Sequence, residues 1–324
     1  MSKLDTIKEP VAKELKEFEP FFRNAMKSNV PLLSVITNYI LRTKGKQLRP
    51  LLVYLSAGLN GEIGNSTKIA AAMIELLHTA TLVHDDVVDE AYERRGFLSI
   101  NALWRSKAAV LVGDFLLSKG LLLAIESNEF ELLRNMSEAV KKMSEGELLQ
   151  IERSRKMDID EDIYYQIISM KTAILLSSCT INGAFSVGAS PENIERMREF
   201  GFNLGMAFQI RDDLFDYKSK GILGKPTGND IREKKLTLPL IYALSKADSS
   251  TRREIRTLVR KSKKDSKAVE KVVEFANSKG GIEYTEQKMN FYHKKAVDAL
   301  MGYPKSSYRD ALESLADYIV ERNS

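Results

Sequence analysis

The sequence predicts an all-α protein. Nearly every long segment of the 324-residue chain repeats its apolar residues every three or four positions. No stretch alternates apolar and polar residues as a half-buried strand does, and no Asn-Gly or Asp-Gly pair sits between two such stretches as a hairpin turn. The composition, 44% hydrophobic and 29% charged, is that of an ordinary globular chain with enough length for a sizeable core.

Taken from the start, "PVAKELKEFEPFFRNAM" places Val11, Leu15, Phe18, Phe22 and Met26 on one helical face. The same periodicity predicts helices within 67–91, 106–126, 129–154, 160–186, 191–218, 236–246 and 268–300. The closing "SYRDALESLADYIVERN" aligns Leu312, Leu315 and Ile319. Breaks fall at "LNGEIGNS" (59–66), "SVGASPEN" (186–193), "KSKGILGKPTGND" (218–230) and "GYPKSS" (302–307). None has the length or low complexity of a linker, and no fixed-period repeat is present, so residues 1–324 are expected to form a single all-helical domain.

Several function classes drop out. The lone Cys179, among apolar and small neighbours in "AILLSSCTI", is expected to be a buried structural thiol rather than half of a disulfide or a nucleophile. Histidines at 78, 84 and 293 with one cysteine do not assemble a zinc site, and His84-Asp85 lacks the upstream histidines of a metal phosphohydrolase. No run of eighteen apolar residues suggests a membrane span, and the charged start "MSKLDTIKEPVAKELKEFEPFF" lacks a signal-peptide core, so a soluble, cytoplasmic protein is expected. Part of the net charge of +5 lies in "RREIRTLVRKSKKDSK" (252–267). Without interleaved aromatics this stretch does not predict nucleic-acid binding; peripheral contact with anionic lipid stays open beside the plainer reading of a solvated face.

Chemistry enters with "ELLHTATLVHDDVVDEAYERRG" (75–96). Asp85 and Asp89 lie about one turn apart on one helical face, with Leu82 and His78 beneath them. The aspartates repel one another unless a cation intervenes. Carboxylates at this spacing suit Mg²⁺, which keeps positions open for water and phosphate oxygens. A lone cluster of this kind is often just solvated, but "GMAFQIRDDLFDY" repeats the DDxxD spacing with Asp212, Asp213 and Asp216, and places Gln209, Gly205 and Gly201 along the same face. Two such motifs on two helices predict a pair of jaws around Mg²⁺ and a diphosphate. Cations recur near both: Lys46 and Arg49 in "KGKQLRP", Arg94 and Arg95, Lys171 beside Thr172 in "MKT", and Lys225 and Lys235 in "GKPTGNDIREKKLTLP".

In the order and rough spacing of these motifs, over nearly the whole chain, the sequence resembles the trans-isoprenyl diphosphate synthase (polyprenyl synthetase) family. The resemblance implies an isoprenoid-synthase-type helical bundle around a central cavity, a homodimer, and Mg²⁺ as cofactor. It implies that Asp85, Asp89 and Asp212 ligate Mg²⁺ while Asp86, Asp213 and Asp216 orient the cluster. Lys46, Arg49, His78 and Arg95 match the family's binders of isopentenyl diphosphate; Arg94, Lys171, Thr172, Gln209, Lys225 and Lys235 match those that hold the allylic diphosphate. Lys44-Gly45-Lys46-Gln47 departs from the family's usual Gly-Gly-Lys-Arg, which alters the loop while keeping Lys46 and Arg49.

The expected reaction condenses isopentenyl diphosphate with an allylic diphosphate such as farnesyl or geranylgeranyl diphosphate, releasing diphosphate. A growing tail would run from the aspartates past Thr81 and Ala80, then Leu77, then Ile74, each turn of about 5.4 Å being roughly one prenyl unit. Small residues at 80 and 81 leave that path open, predicting an all-trans product of twenty carbons or longer, with Phe115 or Leu116 as a floor. The rival reading, a non-catalytic partner subunit of a heteromeric synthase, fits less well because such subunits lose aspartates and this chain keeps all six. A terpene cyclase would lack the isopentenyl diphosphate set.

Overall fold

The computed structural model describes residues 2–43, 45–94, 96–218, 228–263 and 265–321. Their backbone is helical almost throughout, as the periodicity predicts. Short α1 (Lys3–Lys8) is closed by a capping box in which Ser2 and Asp5 satisfy each other's backbone N–H groups. A single 3₁₀ turn leads into α2 (Ala12–Ala25), followed by α3 (Pro31–Arg42), α4 (Leu48–Asn60), α5 (Asn65–Val88), α6 (Ile100–Glu126), α7 (Phe130–Lys156) and α8 (Glu161–Ile168). After α9 (Ile174–Phe185) and α10 (Pro191–Lys218) come α11 (Asn229–Arg232), α12 (Leu238–Ser245), α13 (Ser249–Lys261), α14 (Ser266–Ser278), α15 (Gly281–Leu300) and α16 (Ser307–Glu321).

The chain forms two compact units. One comprises Met1–Val140, Ser178–Arg198 and Gly302–Ser314. Its most extensive helix pair is α5 with α6. Gly113 of α6 permits the approach: a Cβ there would lie 2.1 Å from the His84 ring. Phe18 and Tyr54 meet edge to face in its core, and the Val11, Phe18, Phe22 and Met26 face is buried there as expected.

The other unit comprises Lys141–Ser177, Glu199–Met301 and Leu315–Ser324. Its core gathers Tyr164, Ile168, Ile210, Leu238, Ile255, Val259 and Val272 from helices α8, α10 and α12–α14.

The structure corrects three details of the sequence reading and adds a fourth observation. The predicted 268–300 helix is broken between α14 and α15, where Gly280 takes φ +75°, a conformation that costs glycine little. A two-residue antiparallel ladder, Glu93–Arg94 against Phe97–Leu98, is too short to leave an alternating pattern. The predicted 160–186 helix contains a π-helical turn, Ser169–Ala173, in which the Ile174 N–H reaches back to the Ser169 carbonyl. Helix α6, and the run from Glu161 to Phe185, have the length and composition of a membrane span although neither is an unbroken apolar run. The second is mostly buried, and α6 is joined to α5 along its length.

Candidate active site

The first DDxxD motif occupies the last turn of α5. Asp86 is buried, Asp85 half-buried, and Asp89, the C-cap residue, exposed. The end of a helix carries a partial negative charge, so this is the wrong end for three carboxylates unless a cation compensates. Part of the compensation is local: Arg94 Nε donates to Asp86 Oδ1 at 2.7 Å. Burial still holds the Asp86 carboxyl above its ordinary range, the Arg94 bond pulling the other way. Arg94, expected to meet diphosphate, therefore already braces Asp86. The short ladder that carries Arg94 is anchored by the Tyr39 hydroxyl, which donates to the Leu98 carbonyl at 2.7 Å, and by Ser99, which donates to the Ala91 carbonyl at 2.6 Å.

Within the same unit, Lys46 is exposed just before α4 and Arg49 lies half-buried in the helix's first turn. The start of a helix presents unpaired backbone N–H groups, and these two cations stand beside one. His78 is buried on α5, two turns before Asp85. Along that helix Ile74, Leu77 and Ala80 are buried and Thr81 is half-buried, its hydroxyl donating to the His78 carbonyl. Leu77 faces Gly120 of α6, where a Cβ would lie 3.2 Å from it. Leu116 is fully buried and Phe115 half-buried. Arg95 and Lys225, both named as candidate cations, lie outside the described residues, as does Lys44.

The second motif stands in the last turns of α10, again at the negative end of a helix. Each aspartate has a different partner. Asp212 pairs with Arg211, whose other Nη reaches the Ile319 carbonyl of α16. The Arg211 guanidinium lies between the Phe208 and Phe215 rings, 5.4 and 5.3 Å from their centroids. Asp213 is buried; Tyr164 donates to its Oδ2 at 2.6 Å and Gln209 to its Oδ1 at 2.9 Å. Burial, then the neighbouring Asp230, push the Asp213 carboxyl well up, and the two hydrogen bonds oppose them. Asp216 accepts the backbone N–H groups of Asn229 (2.8 Å) and Asp230 (2.9 Å), and so holds the segment that resumes at Gly228 against α10.

Three further candidates converge beside this motif. Thr172 donates to Gln209 Oε1 at 2.8 Å, continuing the chain of bonds that ends at Tyr164. Lys171 is held by Glu147 and by Gln150 of α7, so it too is already partnered. Lys235 pairs with Glu233 at 2.6 Å and lines a polar cleft together with Lys171, Thr172, Gln209, Asp213 and Asp230. The cleft holds roughly 130 Å³, below the ~300 Å³ of a site that encloses a drug-sized molecule.

The π-turn explains how Lys171 and Thr172 come to this cleft. One extra residue in the turn rotates them relative to α8, and Gly205 of α10 lets the turn approach: a Cβ there would lie 2.5 Å from Ala173 Cα.

Sequence reasoning missed Tyr164, Asp230, Glu147 and Gln150. Tyr164 precedes Lys171 by seven residues, two helical turns, so face periodicity held a signal. Asp230 in "GND" carries none beyond its position after the second motif. Burial, then Asp216, push its carboxyl up while Lys235 pulls it down.

Each motif by itself offers only carboxylate oxygens at a helix end that needs positive charge, a donor chemistry that suits a hard divalent ion. Among the described residues no three histidine, cysteine, aspartate or glutamate side chains close a cage by themselves. Water and a substrate's phosphate oxygens would complete the coordination.

Comparison with known proteins agrees with this chemistry. Residues 30–276 match the model of the polyprenyl synthetase family. The chain is 38% identical to the all-trans-nonaprenyl-diphosphate synthase (geranyl-diphosphate specific) of Rhodobacter capsulatus, over 97% of this chain and 96% of that one. It is 36% identical to the octaprenyl diphosphate synthase of Escherichia coli K12, over 99% of both. Its fold matches a polyprenyl synthase from Caulobacter crescentus, crystallised with calcium and isoprenyl diphosphate, at a TM-score of 0.92 and 33% identity, covering 99% of this chain and 98% of that one. With a DDxxD motif at the end of each of two helices, a family model matched over residues 30–276 and relatives along its whole length, this chain belongs to the polyprenyl synthetase family.

Proposed function

We propose that this prenyltransferase condenses isopentenyl diphosphate with an allylic diphosphate, with Mg²⁺ as its cation, to give an all-trans polyprenyl diphosphate of twenty carbons or longer. The observation that carries the reading is the second motif. Asp213, bonded by Tyr164 and Gln209, lines a cleft with Lys171, Thr172, Lys235 and Asp230; Asp216 holds the 229–230 backbone against the same helix end, and Asp212 is half-buried there beside Arg211.

Asp85, Asp89 and Asp212 would hold Mg²⁺, which when bound supplies positive charge to the diphosphate. Lys171, Lys235 and Lys225 add to that charge, so the allylic C–O bond breaks with its electron pair leaving on diphosphate. The π-electrons of isopentenyl diphosphate form the new C–C bond. A proton leaves the adjacent carbon to restore a double bond, and the departing diphosphate accepts it. Lys46, Arg49, His78 and Arg95 would hold isopentenyl diphosphate, the first two at the N-terminus of α4. Thr172 and Gln209 present dipoles near the site of ionisation.

Small Ala80 and Thr81 favour a long product, in keeping with the octaprenyl and nonaprenyl activities named for the relatives. A homodimer is part of the proposal. Beyond the break at Arg105, Val110, Leu111, Leu122 and Ile125 form an exposed apolar stripe on α6, the kind of surface that a second copy covers.

Calorimetric titration with a thiolo analogue of farnesyl diphosphate tests the reading. Binding is expected only with Mg²⁺ present, and Asp85→Ala or Asp212→Ala should weaken it at least tenfold. Tight binding without Mg²⁺, or unchanged binding in both variants, would overturn it.

A further inference from the structure

The charge of this chain is concentrated. Residues 252–267 carry eight Lys and Arg against two acids, a surplus of six, while the whole chain has a surplus of only five. The remainder is thus slightly acidic, and the excess is a local feature rather than a general solubilising charge.

Structure fixes which way that charge points. Helix α13 buries Ile255 and Val259. Ser262 just beyond it is also buried, its hydroxyl donating to the Ile231 carbonyl at 2.7 Å. Arg252 is spent internally, donating to the Leu244 and Ser245 carbonyls at 2.9 and 3.2 Å. Asp248 is spent as the N-cap, accepting the N–H groups of Ser250 and Thr251. With the apolar side anchored, the opposite side presents Arg253, Arg260 and Lys261, all exposed. None of these three makes an ion pair among the described residues. Lys263, beyond the helix, and Lys267, in the first turn of α14, are exposed too; Glu254 is the one acid on α13.

We infer that this face of α13 docks on an anionic lipid bilayer. The charge complementarity selects the partner class. No aromatic side chain occurs in 249–267, which disfavours single-stranded nucleic acid. The helix exposes no large apolar residue, so it rides on the headgroups and does not insert. A prenyl diphosphate of the length made by the relatives is an amphiphile that partitions into a bilayer, so an enzyme held at that surface discharges its product where it dissolves. The docking surface stands on α13 alone, and vesicle binding is measurable whatever the product.

Each basic residue near an anionic surface raises partitioning about fivefold. The full-length protein should therefore co-sediment with vesicles of phosphatidylcholine containing about one third phosphatidylglycerol at low salt, and release at about 1 M salt, where the Debye length falls to about 3 Å. Pure phosphatidylcholine vesicles should leave it in the supernatant. The triple reversal Arg253→Glu, Arg260→Glu and Lys261→Glu should lower vesicle affinity at least a hundredfold. Neutralising the same three to Gln should lower it less while leaving the thermal melt in place, which separates loss of charge from loss of fold. A Lys16→Glu, Lys27→Glu variant, altering a cationic groove on and just after α2, should bind like the parent. Failure of the parent to bind anionic vesicles, equal binding to neutral ones, or full binding by the folded α13 variants would each overturn the inference.

Discussion

Replacing Gly205 by alanine sets two known magnitudes against each other. In a helix interior the change is favourable by about 1 kcal/mol, because alanine has less backbone freedom to lose. Here the new methyl would sit 2.5 Å from Ala173 Cα, 3.3 Å from Ala173 N and 3.2 Å from its Cβ. The first two are backbone atoms of the π-turn, which yield less readily than the end of a flexible side chain. Overpacking of this kind costs roughly 1–3 kcal/mol, and contact with backbone points to the upper half of that range. The net effect is a loss of about 1–2 kcal/mol, which for a chain of this size lowers the melting temperature by about 2–3 °C. Chemistry suffers more than stability. Pushing the turn from α10 separates Thr172 from Gln209, now 2.8 Å apart, and carries Lys171 with it. A displacement of about 1 Å costs as much as a hundredfold in rate, so kcat/KM for the allylic substrate should fall at least tenfold. Thermal melts and steady-state kinetics on the purified variant check both. A variant that melts higher than the parent, with unchanged kinetics, would show that helix propensity decides and that the Gly205 approach is unimportant.

Other consequences are as concrete. Tyr164→Phe removes a buried hydrogen bond to a carboxylate and leaves Asp213 Oδ2 without its donor, so unfolding in urea should show a loss of about 2 kcal/mol; a change below about 0.5 kcal/mol would contradict the bond's role. Burial pushes the Cys179 thiol up to about 12, so at pH 8 the folded protein should resist a thiol reagent that reacts rapidly once urea is added; prompt labelling of the native protein would refute its burial. Ala80→Phe places a ring on the buried face of α5 and should shorten the longest product seen by mass analysis, at a stability cost of about 1–3 kcal/mol. An unaltered product length would remove Ala80 from the path of the chain.

Much of this was legible in the residues themselves. Helical periodicity and the two DDxxD spacings depend only on neighbours a turn apart, and α5 and α10 carry them as expected. What escaped was decided at long range. The π-turn at Ser169–Ala173 has nothing unusual in its sequence; it packs against Gly205 of α10, a contact between residues far apart in the chain. Lys171 reads as a diphosphate cation, but whether it has a partner depends on Glu147 and Gln150, more than twenty residues earlier. Arg94 reads as a ligand of the allylic diphosphate; its bond to Asp86 depends on the short ladder, which leaves no pattern in the sequence. The Gly280 break was visible as a Gly-Gly pair, but apolar periodicity on both sides concealed it.

The central claim is elongation of an allylic diphosphate by isopentenyl diphosphate. The most direct measurement incubates the purified, folded protein with both substrates and Mg²⁺, removes the diphosphates from the products, and weighs what remains by mass spectrometry. The account predicts a ladder of prenyl alcohols ending at one length of twenty carbons or more, absent when Mg²⁺ is chelated. No elongation from geranyl, farnesyl or geranylgeranyl diphosphate, with the protein folded and Mg²⁺ in excess, would contradict it.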